Sequence, residues 1–115
     1  MRERDIEDWL RRRIEDMGGL AFKFTSTGND GVPDRIAILP GGRVWFIELK
    51  TVSGRLSALQ GWQIERMKKR SARVAVIRGM DEARSWWIER LGEMAGNGRE
   101  AGADGVPAAQ LRGRR

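Results

Sequence analysis

The sequence predicts an α/β fold, ordered α-β-β-β-α-β-α and layered as a sandwich around one central mixed sheet. Three observations predict it. Ile6, Leu10, Ile14 and Met17 recur at helical spacing near the start of the chain. Two apolar runs, 35–39 and 43–49, flank Pro40-Gly41-Gly42, which has the composition of a hairpin turn. A nearly continuous apolar run, 73–77, follows a second helical stretch and reads as a strand covered on both faces.

Each element has its own signal. The first helix spans 3–17, with Trp9 and Arg13 beside its apolar stripe and Asp8 and Arg12 at i,i+4 on the outer face. Gly18-Gly19 stops it. "LAFKFT", 20–25, alternates as a strand, and "STGNDGVP", 26–33, is a turn-rich loop. "RIAIL" and "RVWFIEL" are the hairpin strands. Ser57 opens the second helix, whose apolar positions include Leu59, Trp62, Ile64 and Met67. Asp81 can cap a third helix carrying Ala83, Trp86, Trp87 and Leu91. From Gly92 onward glycine and alanine dominate and no apolar period remains. The expected organisation is one domain over 1–91 and a flexible Gly/Ala/Arg-rich tail over 92–115.

Composition narrows the chemistry. The 115 residues include no Cys and no His. That excludes disulfides, thiol nucleophiles, Ser-His triads and nearly every zinc site. Any metal must be held by oxygen, which points to Mg²⁺ or Mn²⁺. A net charge of +6 favours a polyanionic partner. No apolar run is long enough for a membrane span and no signal peptide begins the chain, so a cytoplasmic location is expected.

The hairpin carries charge at the end away from its turn. Asp34 and Glu48 are equally distant from Gly41, so pairing around that glycine sets them opposite one another, with Cβ atoms about 4.5–5.5 Å apart. Alternation puts Glu48 and Lys50 on one face and Trp45, Ile47 and Leu49 on the other. Two carboxylates so close repel unless a cation lies between them, and carboxylates are ligands Mg²⁺ accepts. Lys50 adds an ammonium that can orient a water or stabilise a phosphorane-like transition state. The set suits metal-assisted phosphodiester hydrolysis. A plain cross-strand salt bridge from Lys50 to Asp34 or Glu48 is the alternative from spacing alone.

"GVPD" (31–34), "FIELKT" (46–51), "LSALQ" (56–60) and the opening "RERDIEDWLRRRIEDMGGLAFKF" resemble the VRR-NUC family, the virus-type replication-repair nuclease branch of the PD-(D/E)xK superfamily, over about residues 2–80. The resemblance implies a restriction-endonuclease-like fold. It also implies a Mg²⁺- or Mn²⁺-dependent DNA endonuclease of phage or bacterial replication and repair, leaving 5′-phosphate and 3′-hydroxyl ends. Some members act on branched DNA, including four-way (Holliday) junctions, and some are dimeric. It carries metal ligation to Asp34, Glu48 and the main-chain carbonyl of Leu49, and the catalytic lysine to Lys50. The family's first-helix acid falls on Glu7, which lies three residues before Leu10 beside the buried stripe, with Glu3 as the fallback one turn earlier. Its glutamine falls on Gln60, which Ser57-x-x-Gln60 equally explains as a capping box, and Gln63 lies one turn later.

Lys23, Arg35, Arg55, Arg66, Lys68, Lys69 and Arg70 are candidates for DNA phosphate contact. Lys23 stands where the resembling family often has a lysine. The five tryptophans read as core, with Trp62 the one to test for exposure. DNA is the expected partner and a homodimer is allowed. A non-catalytic DNA-binding module of the same fold and a small partner-binding protein are the other classes. An intact Asp…Glu-x-Lys set disfavours a pure binder, which needs no acidic cluster facing DNA.

Overall fold

The computed structural model describes residues 1–104. Its elements follow the expected order: α1 (Glu3–Asp16), β1 (Leu20–Lys23), β2 (Arg35–Leu39), β3 (Arg43–Lys50), α2 (Ala58–Lys69), β4 (Val74–Arg78) and α3 (Gly79–Asp104). The strands form one mixed sheet in the order β1-β2-β3-β4. The first three run antiparallel and β4 joins β3 in parallel. A parallel neighbour requires a crossover, and α2 supplies it.

Period-2 alternation sorts the sheet into two faces. Ala37, Leu39, Ile47, Leu49 and Ile77 meet Ile6, Leu10 and Ile14 of α1 and Ala83 and Trp86 of α3 in one core. Trp9 meets Trp87 edge-on at 5.6 Å, and Trp45 meets Trp86 edge-on at 5.7 Å. Burying each large apolar side chain contributes about 1.5–3 kcal/mol. The second face is only partly covered. α2 buries Gln63 and Ile64 there, while Leu20 and Phe22 at the β1 edge stay about half exposed (52% and 49%). Leu59 and Trp62, expected among the apolar positions of α2, are exposed as well. A helix that covers so little of a face needs only a narrow stripe. Among the described residues no helix is long and apolar enough to cross a membrane.

Three local expectations are corrected. Asp8 pairs with Arg11 rather than Arg12, and Arg11 also reaches Glu15 at 3.4 Å. α3 starts at Gly79, not behind an Asp81 cap. The positive φ of Gly79 (+77°) turns the chain straight from strand to helix, and the Glu82 carboxylate accepts the Arg78 N–H at 2.7 Å. Finally, α3 does not stop at Gly92. It runs to Asp104, and Glu93 pairs with Arg90 at 3.1 Å and Arg43 at 3.3 Å. The rest of the expected tail, with Arg112, Arg114 and Arg115, lies outside the described residues.

Arg90 is 6% exposed, and its guanidinium lies over Trp45 at 4.4 Å and Trp86 at 5.4 Å. Arg90→Ala removes this cation–π packing and leaves Glu93 without its buried partner, so it is expected to destabilise by about 3 kcal/mol in urea unfolding. Arg90→Lys should recover only part, because an ammonium cannot lie flat on an indole. An unchanged midpoint for Arg90→Ala contradicts this account of the packing.

Candidate active site

Gly41 and Gly42 both take positive φ (+88° and +81°), which closes a tight turn at the hairpin tip. Leu39 then pairs with Arg43, and the ladder runs back to Arg35 opposite Ile47. One step further, Asp34 stands across from Glu48. The Asp34 carbonyl accepts the Phe24 N–H at 2.8 Å, which ties the loop end to β1. Upstream, the Gln63 amide donates to the Asp30 carbonyl at 3.0 Å. Gly31 (φ +89°) lies so close to Leu59 that a Cβ would meet its Cγ at 2.8 Å. The loop that delivers Asp34 is thus packed directly on α2.

The same register singles out Leu49. The Phe46 N–H points to β4, donating to the Arg73 carbonyl at 2.9 Å. Main-chain groups alternate along a strand, so those of Leu49 point the other way, toward the β2 side. Continued two residues past its last pair, the register brings Pro33 to the position across from Leu49, and Pro33 is fully buried and lacks an N–H. Pro33 therefore has no N–H to offer the Leu49 carbonyl, while the Leu49 side chain is sealed in the core.

Glu48 is 5% exposed. Its Oε2 accepts from Gln60 Nε2 at 3.1 Å and lies 3.6 Å from Lys50 Nζ. Burial pushes the Glu48 carboxyl above the usual range, and the charge of Asp34 pushes the same way. Lys50 pulls it down through its charge and hydrogen bond, and the charge of Glu3 adds a further upward push. Gln60 resolves the choice between capping and site contact by doing both. Its Oε1 accepts the Ser57 N–H at 2.9 Å and its own N–H donates to Ser57 Oγ at 3.1 Å, while its amide nitrogen reaches Glu48.

Glu7 is paired rather than free. Arg35 takes it, with Nη2 2.8 Å from Glu7 Oε1 and Nη1 2.7 Å from Asp34 Oδ1. Burial opposes the Arg35 charge, but the Glu7 hydrogen bond and the charges of Asp34 and Glu7 outweigh it and hold the guanidinium above its ordinary value. Arg35 is thus a strut between α1 and the loop end, not a free cation. The signal was available: alternation puts Arg35 on the Ala37 face, which meets α1. Glu3, one turn earlier, adds only the smallest push on the Glu48 carboxyl, whereas Arg35 links Glu7 directly to Asp34, so both first-helix acids border the site. A cavity of about 240 Å³ opens beside the strut, lined by Glu7, Leu10, Lys23, Arg35, Ile47 and Leu49.

Among the described residues no three acidic side chains group tightly enough to hold a metal ion by themselves. Asp34, Glu48 and the Leu49 carbonyl offer an all-oxygen set, which fits a hard cation that keeps waters and takes one or two carboxylates. The other predicted cations are dispersed. Lys23 ends β1 opposite Arg35. Arg55 is exposed before α2, and Arg66, Lys68, Lys69 and Arg70 are exposed along its last turns.

A solved structure described as "VRR_NUC domain" matches this fold with a TM-score of 0.69 and 32% sequence identity, covering 72% of this chain and 90% of that one. "Putative nuclease p44" of Acyrthosiphon pisum secondary endosymbiont phage 1 is 46% identical over 50 residues, which are 44% of this chain. The match spans about half of that relative (54%). No protein-family model matches the chain.

The raised Glu48 carboxyl has a consequence for stability. Below the ordinary glutamate range, about pH 4, Glu48 is neutral in both folded and unfolded chains and nothing is lost. As pH rises through its higher folded value, the fold loses stability. In metal-free buffer Glu48→Gln is therefore expected to melt higher than the wild type near pH 7 and to lose that advantage near pH 4. Calorimetry at both pH values checks it, and a wild type more stable than the variant near neutrality contradicts it.

Proposed function

The chain belongs to the VRR_NUC domain family, and on that premise we propose that it is a divalent-metal-dependent nuclease hydrolysing phosphodiester bonds in DNA. The observation that carries this reading is the hairpin register, which sets Asp34 across from buried Glu48 with Lys50 on the same face. In this reading Mg²⁺ or Mn²⁺ would be held by Asp34, Glu48 and the Leu49 main-chain carbonyl, with Glu7 as the first-helix acid and Glu3 one turn earlier as its alternative. When bound, the ion supplies Lewis-acid polarisation of the scissile phosphate and a more acidic water.

The chain's own groups do the rest. Gln60 holds the Glu48 carboxylate in one orientation. Lys50 keeps its ammonium beside that carboxylate, where it orients the attacking water and offsets charge developing on the phosphate. Arg35 fixes Asp34 from behind while neutralising Glu7. The dispersed cations, Lys23 foremost, meet the phosphate backbone without reading sequence. The products carry 5′-phosphate and 3′-hydroxyl ends.

The finer reading is a homodimer acting on branched DNA, including four-way junctions, in phage or bacterial replication or repair. Support comes from the uncovered sheet edge with Leu20 and Phe22, an apolar surface beside an unpaired strand. A two-fold pair would also supply a second pocket for the second strand.

Linear, flapped and four-way-junction DNAs incubated with Mg²⁺, Mn²⁺ or EDTA test the activity. Cleavage is expected with metal only. Asp34→Asn and Glu48→Gln should reduce it to background, and Lys50→Ala should lower kcat by about 10²–10⁴-fold with little change in KM. Glu7→Gln should weaken metal binding, and a larger loss for Glu3→Gln would move the first-helix role one turn earlier. DNA binding with no cleavage under any metal would leave the non-catalytic module standing instead.

Sedimentation at micromolar concentration tests the assembly. The wild type is expected to be a dimer that prefers the junction over linear duplex, and Phe22→Asp a folded monomer. A monomeric wild type that cuts both DNAs equally refutes the dimeric form and leaves a general nuclease.

A further inference from the structure

Trp62 stands apart from the other tryptophans. Trp9, Trp45, Trp86 and Trp87 pack in or against the core, whereas Trp62 is 55% exposed on α2. Its ring is nevertheless held in an ordered setting. The Arg66 guanidinium lies 4.5 Å from the ring centroid, and Arg66 Nη1 also donates to Gln63 Oε1 at 3.0 Å. Gln63 is buried and its amide holds the Asp30 carbonyl. The stacked pair is therefore anchored to the loop that ends at Asp34. Lys68 and Lys69 follow on the same helix and Arg70 caps its end, with no acidic partner among the described residues.

We propose that Trp62 and Arg66 form a stacking platform for an unpaired nucleobase of the nucleic acid. The proposal deepens the nuclease reading and rests on it. An indole backed by a guanidinium presents a flat, polarisable surface, and every base has a face that stacks on it regardless of sequence. Bases inside a duplex spend both faces on their neighbours and offer only edges. The platform therefore favours single-stranded or splayed regions over continuous duplex. The neighbouring ammonium and guanidinium groups complement the phosphates on either side of the stacked base.

Binding in EDTA tests this without cleavage. The probes are a labelled single strand of about 16 nucleotides and its matched duplex. Trp62→Ala is expected to weaken single-strand binding by about 5- to 150-fold, the range one stacked base contributes, and to change duplex binding less than about twofold. Trp62→Phe should keep most of the single-strand affinity. The single strand should quench tryptophan fluorescence in the wild type, and that quench should be missing in Trp62→Phe. Unchanged single-strand binding by Trp62→Ala overturns the proposal, as does an equal loss for both DNAs or a wild type that binds neither. The nuclease reading stands or falls separately, on whether the wild type cuts DNA when metal is added.

Discussion

Arg35 pairs with Ile47 across the hairpin, and with that pairing the places of Asp34, Glu48 and Lys50 are decided. The register sets Asp34 opposite Glu48, turns Ile47 and Leu49 into the core, and leaves Lys50 beside Glu48. A slip of one residue would exchange the two faces, burying Lys50 among Leu10 and Ile14 and exposing Leu49. The apolar side chains that meet α1 and α3 are therefore what forbids the slip. Packing energy on one face of the sheet maintains the electrostatic arrangement on the other.

The acidic groups are managed by partners of opposite sign and different reach. Arg35 is short of solvent and joined to both Glu7 and Asp34, so it couples helix α1 to the loop end. Glu48 has Lys50 and the neutral Gln60 close by, while burial and the charge of Asp34 push its carboxyl above the usual range. A site that leaves one buried carboxylate under-compensated favours the arrival of a cation. The same helix turn that caps α2 at Ser57 also supplies Gln60 to that carboxylate, so helix initiation and site orientation depend on one side chain.

Much of this was legible in the sequence because it depends on short-range periodicity. The order of elements, the hairpin turn and the facing of Asp34 and Glu48 follow from alternation and from glycines that permit positive φ. What the sequence did not convey depends on which partner a long side chain chooses. Glu7 and Glu3 occupy similar helical positions, and spacing alone does not show that Arg35 joins Glu7 to Asp34. Leu59 and Trp62 look like core residues by spacing, but α2 buries too narrow a stripe to cover them. Glycine at 92 suggested a helix end, yet α3 continues through it while Glu93 docks on Arg90 and Arg43.

Pro33 gives the hairpin a defined place to open. With an ordinary residue there, the main chain could form one more rung against Leu49, and the two strands would zip shut past the acidic pair. Proline withholds that rung, and the β2–β3 ladder ends at Arg35 opposite Ile47. The opening is written into covalent structure and does not depend on solvent or on the charge state of its neighbours. A ring that cannot donate thus marks where the seam between β2 and β3 ends, next to the acidic pair.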